Sequence, residues 1–183
     1  TAELYDAVKG KNWLLAARNY RAWYDGIWEF SGAGQFLSNS IGGGIGYGPG
    51  GIIGSALAGR EQGKFTVAII GDGDFTMGPA AIWTAVHYKI PILIVLHNNT
   101  SFGNDEEHQI TLAYRRDRPP ENAWIGQRMV GPEPDYCAIA RGYGAWAQEP
   151  VINPGDLANA FSQAADVVDR GGVALVDVHT SLN

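Results

Sequence analysis

The chain has 183 residues, of which 17% are charged and 45% hydrophobic, and a formal net charge of −6. That is enough chain for one domain with a sizeable core, and an acidic balance without a basic run argues against nucleic acid as a partner. The longest apolar run, Ile90 to Leu96, is interrupted by Pro91 and falls far short of a membrane span. Cys137 stands alone, which excludes a disulfide framework and a cysteine metal site. Lys9 and Lys11 break the only candidate leader, so a reducing, cytoplasmic setting is expected. Six Trp and eight Tyr beside so little charge point to a surface partly covered by other protein.

Residues 1–12 read as a frayed helix and Trp13 to Ala17 as a first strand. Aromatics dominate the next stretch (Tyr20, Trp23, Tyr24, Trp28, Phe30, Phe36), in packing or an interface. Residues 40–54 are dense in glycine, which allows positive φ and close approach of a ligand to the backbone. An apolar helix follows over roughly 50–60. Thr66 to Ile70 and Ile92 to Leu96 are apolar runs that read as buried strands. Between them, a segment opened by Gly78-Pro79 and closed before Pro91 reads as a helix of about ten residues.

Asn104 or Asp105 is expected to cap a helix running towards Arg116. Residues 117–134 form a long loop of a functional or interfacial kind, and Arg115, Arg116 and Arg118 form a solvated or interface cluster. Asp135 caps a helix from Tyr136 to Arg141 that Gly142 ends, and Gly144 to Gln148 is a short strand. Asn153 caps a helix with Pro154 in its first turn. Leu157, Ala160, Phe161, Ala164, Ala165 and Val168 give that helix one apolar face. Gly171-Gly172 stops it, and Val173 to Val178 is the last strand. Alternating strands and helices with continuous apolar strands imply a single α/β domain over residues 1–183, a doubly wound, mainly parallel sheet with helices on both faces.

The chemistry concentrates at two strand ends. Gly71-Asp72-Gly73 follows the first apolar run, and Asn98-Asn99 follows the second after twenty-four intervening residues. Strand–helix–strand connection sets these loops side by side at the carboxyl edge of the sheet, where α/β proteins bind ligands. The Asp72 carboxylate, the Asn99 amide and the Ser101 carbonyl make a hard-oxygen set suited to Mg²⁺, which shares its six positions with phosphates and water. Gly71, Gly73, Asp74 and the amides of Ser101 and Phe102 are placed for the phosphates. A lone Gly-Asp-Gly also reads as a turn carboxylate. A polar doublet after five apolar strand residues serves no folding need, and it favours the ligand site.

These residues carry a resemblance. Gly-Asp-Gly-Asp-Phe-Thr-Met and Ile-Pro-Ile-Leu-Ile-Val-Leu-His-Asn-Asn resemble the signature of thiamine-diphosphate enzymes of the acetolactate synthase, pyruvate decarboxylase and benzoylformate decarboxylase group. The similarity runs from the glycine-rich loop at residue 40 to the final strand. It implies thiamine diphosphate held through Mg²⁺ by Asp72, Asn99 and the Ser101 carbonyl. It also implies that the loop with Gly43 and Gly44 holds the aminopyrimidine, with the Gly43 carbonyl receiving the 4′-amino group. Ile45 then lies under the cofactor and forces its bent shape, which brings the 4′-nitrogen close to the reactive carbon. Pro49-Gly50-Gly51 stands where the family often has Leu-Pro-Ala, and Ala81 where it often has an acid.

In that family a glutamate on a pyrimidine-binding domain starts the reaction, and no segment of this chain resembles that domain. The resemblance therefore implies a pyrimidine-domain partner, either another chain or another part of the same precursor. Acid–base help from His108 or Glu106 is one reading; a solvated helix start is the other. The implied reaction makes or breaks a carbon–carbon bond beside a carbonyl, on a small 2-oxo or 2-hydroxyacyl substrate. Three alternatives remain. The chain could be the thiamine-diphosphate subunit of a 2-oxoacid oxidoreductase. It could be a dinucleotide-binding domain, since Gly46, Gly48 and Gly51 fit that fingerprint with Asp72 as the ribose acid. It could also be a non-catalytic assembly subunit.

Overall fold

Five strands, all parallel, make one sheet in the computed structural model, which describes residues 1–17, 26–37 and 44–181. In chain order the elements are α1 (Ala2–Val8), β1 (Trp13–Ala17), α2 (Tyr47–Glu61), β2 (Phe65–Gly71), α3 (Asp72–Thr76), α4 (Ala81–His87) and β3 (Ile92–Asn98). Then come α5 (Gly103–Arg115), α6 (Tyr136–Gly142), β4 (Trp146–Ala147), a 3₁₀ turn (Pro154–Asp156), α7 (Leu157–Asp169) and β5 (Val173–His179). The strand order is β1-β2-β3-β5-β4, which sets β3 at the centre of the sheet.

The pleat divides the apolar strand residues between two cores. Ala68, Ile70, Ile94 and Leu96 pack with Ile52 and Ala56 of α2, Ile82 and Ala85 of α4, and Tyr136, Cys137 and Ala140 of α6. Val67, Ile69, Leu93 and Val95 face the other way, onto Leu4 and Val8 of α1 and Phe161, Ala164 and Val168 of α7. Strands buried on both faces need apolar residues at every position, which is why β2 and β3 read as continuous runs. The fold is the expected doubly wound α/β sheet. Among the described residues no helix is long and apolar enough to cross a membrane.

Four local expectations change. The opening helix is anchored rather than frayed, because Leu4 and Val8 are fully buried and Tyr5 packs its ring against Trp13 and Trp28. Gly-Asp-Gly is not an open loop, since α3 begins at Asp72 and makes one tight turn. Gly78 and Pro79 form a turn, which leaves α4 only seven residues. Finally, α5 starts one residue before Asn104, because the amides of Asp105 and Glu106 both donate to the Phe102 carbonyl. Asp135 caps α6 as expected, accepting from the Ala138 amide, whereas Asn153 accepts from the Gly155 amide and caps the 3₁₀ turn that leads into α7, whose own N-cap is Asp156.

Candidate cofactor and metal site

β2 and β3 are neighbours in parallel register, Gly71 beside His97, so their two following loops meet at one edge of the sheet. Gly71 leaves β2 extended and Asp72 enters α3 at once. Its carbonyl accepts the Thr76 hydroxyl at 2.8 Å, and Thr76 in turn meets the buried Tyr136 hydroxyl at 2.8 Å. The Asp72 side chain is 2% exposed, and its Oδ2 has no hydrogen-bond partner. Burial pushes its pKa up to about 6, against the opposing pull of the Gly73, Thr100 and Ser101 amides. A buried carboxylate oxygen left without a partner is costly unless a cation or a proton compensates it. Among the described residues no three His, Cys, Asp or Glu side chains cluster for a metal. A cation at Asp72 would therefore take amide and carbonyl oxygens as its other protein ligands. Hard oxygens of that kind suit Mg²⁺.

The adjacent asparagines have different surroundings. Asn98 is buried in the sheet: its amide nitrogen donates to Asp177 at 3.3 Å and its Oδ1 accepts the Thr100 amide at 3.0 Å. Asn99 reaches the cavity wall, and its Oδ1 accepts the Ser101 amide at 3.1 Å. An amide oxygen has a second lone pair, so this bond leaves one for a ligand. After them Thr100 turns through φ 56°, a left-handed conformation that the Asn98 hydrogen bond holds in place. Asp177 is 2% exposed, and burial raises its pKa while the Asn98 amide lowers it.

A cavity of about 210 Å³ opens above these loops. Eight expected residues line it together: Ile45, Gly71, Asp72, Gly73, Asp74, Asn99, Ser101 and Phe102. Gly44 precedes Ile45 but is not on the wall, and Gly43 lies outside the described residues. Ile45 is 41% exposed, an apolar side chain left open at the cavity edge. The glycine loop is tied to the turn, since the Gly46 amide donates to Asp74. A Cβ on Gly48 would stand 1.9 Å from the Asp74 carboxylate, and one on Gly73 would stand 2.6 Å from the Phe102 ring. Both glycines are thus demanded by close packing around the site.

The two acid–base candidates are elsewhere. Glu106 points into the protein, 6% exposed, accepting from the Ser101 hydroxyl at 2.8 Å and from Arg128 at 2.6 Å. The Arg128 guanidinium holds its pKa below the ordinary carboxylate range. His108 is exposed and off the cavity wall. Sequence reading missed His97, Arg128 and Asp177. His97 lines the cavity, and burial lowers its pKa. Asp177 had a visible signal, an acid inside an apolar strand, whereas Arg128 had none because its partner lies 22 residues away.

Fold and site together describe an α/β domain that gathers hard oxygens and closely packed glycines at the carboxyl edge of a parallel sheet. The chain belongs to the family described as "Thiamine pyrophosphate enzyme, C-terminal TPP binding domain", which matches residues 18–178. It is 32% identical over 113 residues to benzoylformate decarboxylase of Pseudomonas aeruginosa, covering 57% of this chain and 18% of that protein. It is 27% identical over 134 residues to a probable acetolactate synthase large subunit of Methanocaldococcus jannaschii, covering 71% of this chain and 20% of that protein. Among solved structures, the thiamine diphosphate-dependent 4-hydroxybenzoylformate decarboxylase of Rhodococcus jostii RHA1 superposes with a TM-score of 0.76 at 25% identity. That match covers all of this chain and 32% of the other. The chain thus spans about a fifth of the length of the curated relatives it matches. Family membership removes the support for the dinucleotide alternative.

Proposed function

We propose that this chain holds the diphosphate end of thiamine diphosphate through Mg²⁺, in an enzyme that makes or breaks a carbon–carbon bond beside a carbonyl. The observation that carries the reading is the buried, unpartnered Oδ2 of Asp72 on a cavity wall shared with Asn99 and Ser101. When bound, the cofactor supplies an acidic carbon that adds to a carbonyl and a ring that accepts the resulting electrons. Asp72, Asn99 and the Ser101 carbonyl would ligate the metal, with Gly71, Gly73, Asp74 and the amides at Ser101 and Phe102 beside the phosphates. Ile45 would support the cofactor from its apolar side, next to Gly43 and Gly44. The chain's own residues anchor and orient; they exclude water where Phe102 covers Gly73.

Neither Glu106 nor His108 stands on the cavity wall, and on this reading the proton transfers are assigned to a pyrimidine-domain partner that completes the site. The substrate class is a small 2-oxo or 2-hydroxyacyl compound, handled by decarboxylation, acyloin-type ligation or lysis. Equilibrium dialysis of the full-length protein with thiamine diphosphate and Mg²⁺ tests the reading. The parent protein is expected to retain cofactor in a Mg²⁺-dependent way, and Asp72→Ala to lose at least tenfold in affinity. Undiminished retention by Asp72→Ala would sink it.

A further inference from the structure

Residues 117–134 form no regular helix or strand, yet their far end is fastened to the proposed metal loop at several points. The Phe102 amide donates to the Gln127 carbonyl at 2.9 Å, and the Met129 amide donates to the Thr100 carbonyl at 2.8 Å. Ser101 and Arg128 lie between these two bonds as an antiparallel bridge pair. In that pairing the central residues bond to each other through neither amide nor carbonyl, and their side chains lie close together on one face. Two consequences follow. The amide and carbonyl of Ser101 point away from the loop; the amide is found on Asn99. The side chain of Arg128 is set beside that of Ser101, within reach of Glu106.

Glu106 then joins the two. Its Oε2 accepts the Ser101 hydroxyl at 2.8 Å, and the Arg128 guanidinium grips both carboxylate oxygens at 2.6–3.1 Å. A carboxylate this buried is tolerated because a two-pronged cation meets it. Ser101 is therefore held on three sides: by the loop backbone, by Glu106 through its hydroxyl, and by Asn99 through its amide. Its carbonyl lies on the same edge as its amide, the side where Asn99 and Asp72 meet that amide.

We propose that Arg128 is a positioning residue, which acts through Glu106 and Ser101 to aim the Ser101 carbonyl at the metal and couples the order of residues 125–131 to metal occupancy. This rests on the Mg²⁺–thiamine diphosphate reading above. A cation that binds only the aimed carbonyl stabilises the fastened loop by mass action, and the fastened loop raises affinity for the cation in return.

The test uses the full-length protein with Mn²⁺ as a paramagnetic stand-in for Mg²⁺, at fixed thiamine diphosphate, with free Mn²⁺ counted by electron paramagnetic resonance. Hydrogen exchange at residues 125–131 is followed with and without Mg²⁺. Arg128→Ala is expected to weaken metal binding about tenfold to a hundredfold, the usual range for residues that orient a metal ligand. In the parent, Mg²⁺ should slow exchange in that segment about tenfold; in the variant it should not. Arg128→Lys keeps the charge but not the two-pronged fit, and should fall between the two. It serves as well should Arg128→Ala fail to fold. Arg118→Ala, on an exposed arginine of the same loop, should match the parent. Parental affinity and Mg²⁺-dependent protection in both Arg128 variants would overturn the proposal. If the parent itself binds no metal with thiamine diphosphate, the cofactor reading falls and the proposal with it.

Discussion

At the scale of single residues, Asp72 sets the tension of the site. Its carboxyl is lifted from 3.8 to about 6 by burial, so the folded state disfavours the charged form. Below about pH 3 the folded and unfolded chains are both largely protonated there, and the penalty vanishes. As pH rises from about 3 the unfolded chain ionises first and stability falls; above about pH 7 the full penalty, roughly 3 kcal/mol, is in place. In chelator, Asp72→Asn should therefore be the more stable protein at pH 7.5 by up to about 3 kcal/mol and nearly equal to the parent near pH 3, as read by urea unfolding. Added Mg²⁺ with thiamine diphosphate should stabilise only the parent. A constant gap at both pH values would show that the charge is not the cause. Under the proposed function the residue is costly to the fold and useful to the ligand, a familiar opposition at functional sites.

At the scale of elements, the strands were readable and the small joints were not. β2 and β3 declare themselves because burial on both faces leaves no polar position. By contrast, α1 is two turns long, and packing against α7, Trp13 and Trp28 fixes it; α3 is spelled in turn residues, so its letters suggest a loop. Eight of the ten expected ligand-site positions meet at one cavity, seven because the ends of β2 and β3 bring them there and Ile45 from the loop before α2. The clasp through Arg128 escaped, since a contact across 22 residues of irregular chain leaves no periodicity to read. The tie between the glycine loop and α3 can be tested at Gly48. Gly48→Ala drives a methyl into the Asp74 carboxylate and should release the Gly46 amide. The expected result is a loss of about 1–3 kcal/mol in stability, with cofactor affinity reduced at least tenfold by dialysis. Gly50→Ala meets nothing within 4 Å and should gain a few tenths to about 1 kcal/mol as a better helix residue.

At the scale of the whole molecule, the two faces of the sheet serve different ends. The face carrying α2, α4 and α6 runs up to the site, through Tyr136 and Thr76 to the Asp72 carbonyl. The face carrying α1 and α7 is an apolar layer beneath β2, β3 and β5. Phe161→Ala in that layer should cost about 3–5 kcal/mol by denaturant titration. Trp83→Ala, at a side chain 50% exposed, should cost well under that in this chain alone. Loss of stability at Trp83 equal to that at Phe161 would contradict the division. The exposed apolar side chains Trp83, Tyr88, Leu112, Tyr114, Trp124 and Ile125 fit a chain whose surface other protein covers.

β3 ends between two asparagines. Asn98 and Asn99 are the same letter twice, but Asn98 is the last residue of β3 and Asn99 is the first beyond it. Asn98 is read by the interior, which needs its nitrogen on Asp177 and its oxygen on the Thr100 amide. Asn99 is read from the cavity. A selection that rewards folding alone would see the first asparagine and pass over the second, whereas one that rewards cofactor retention would see both. The doublet is two messages addressed to two readers.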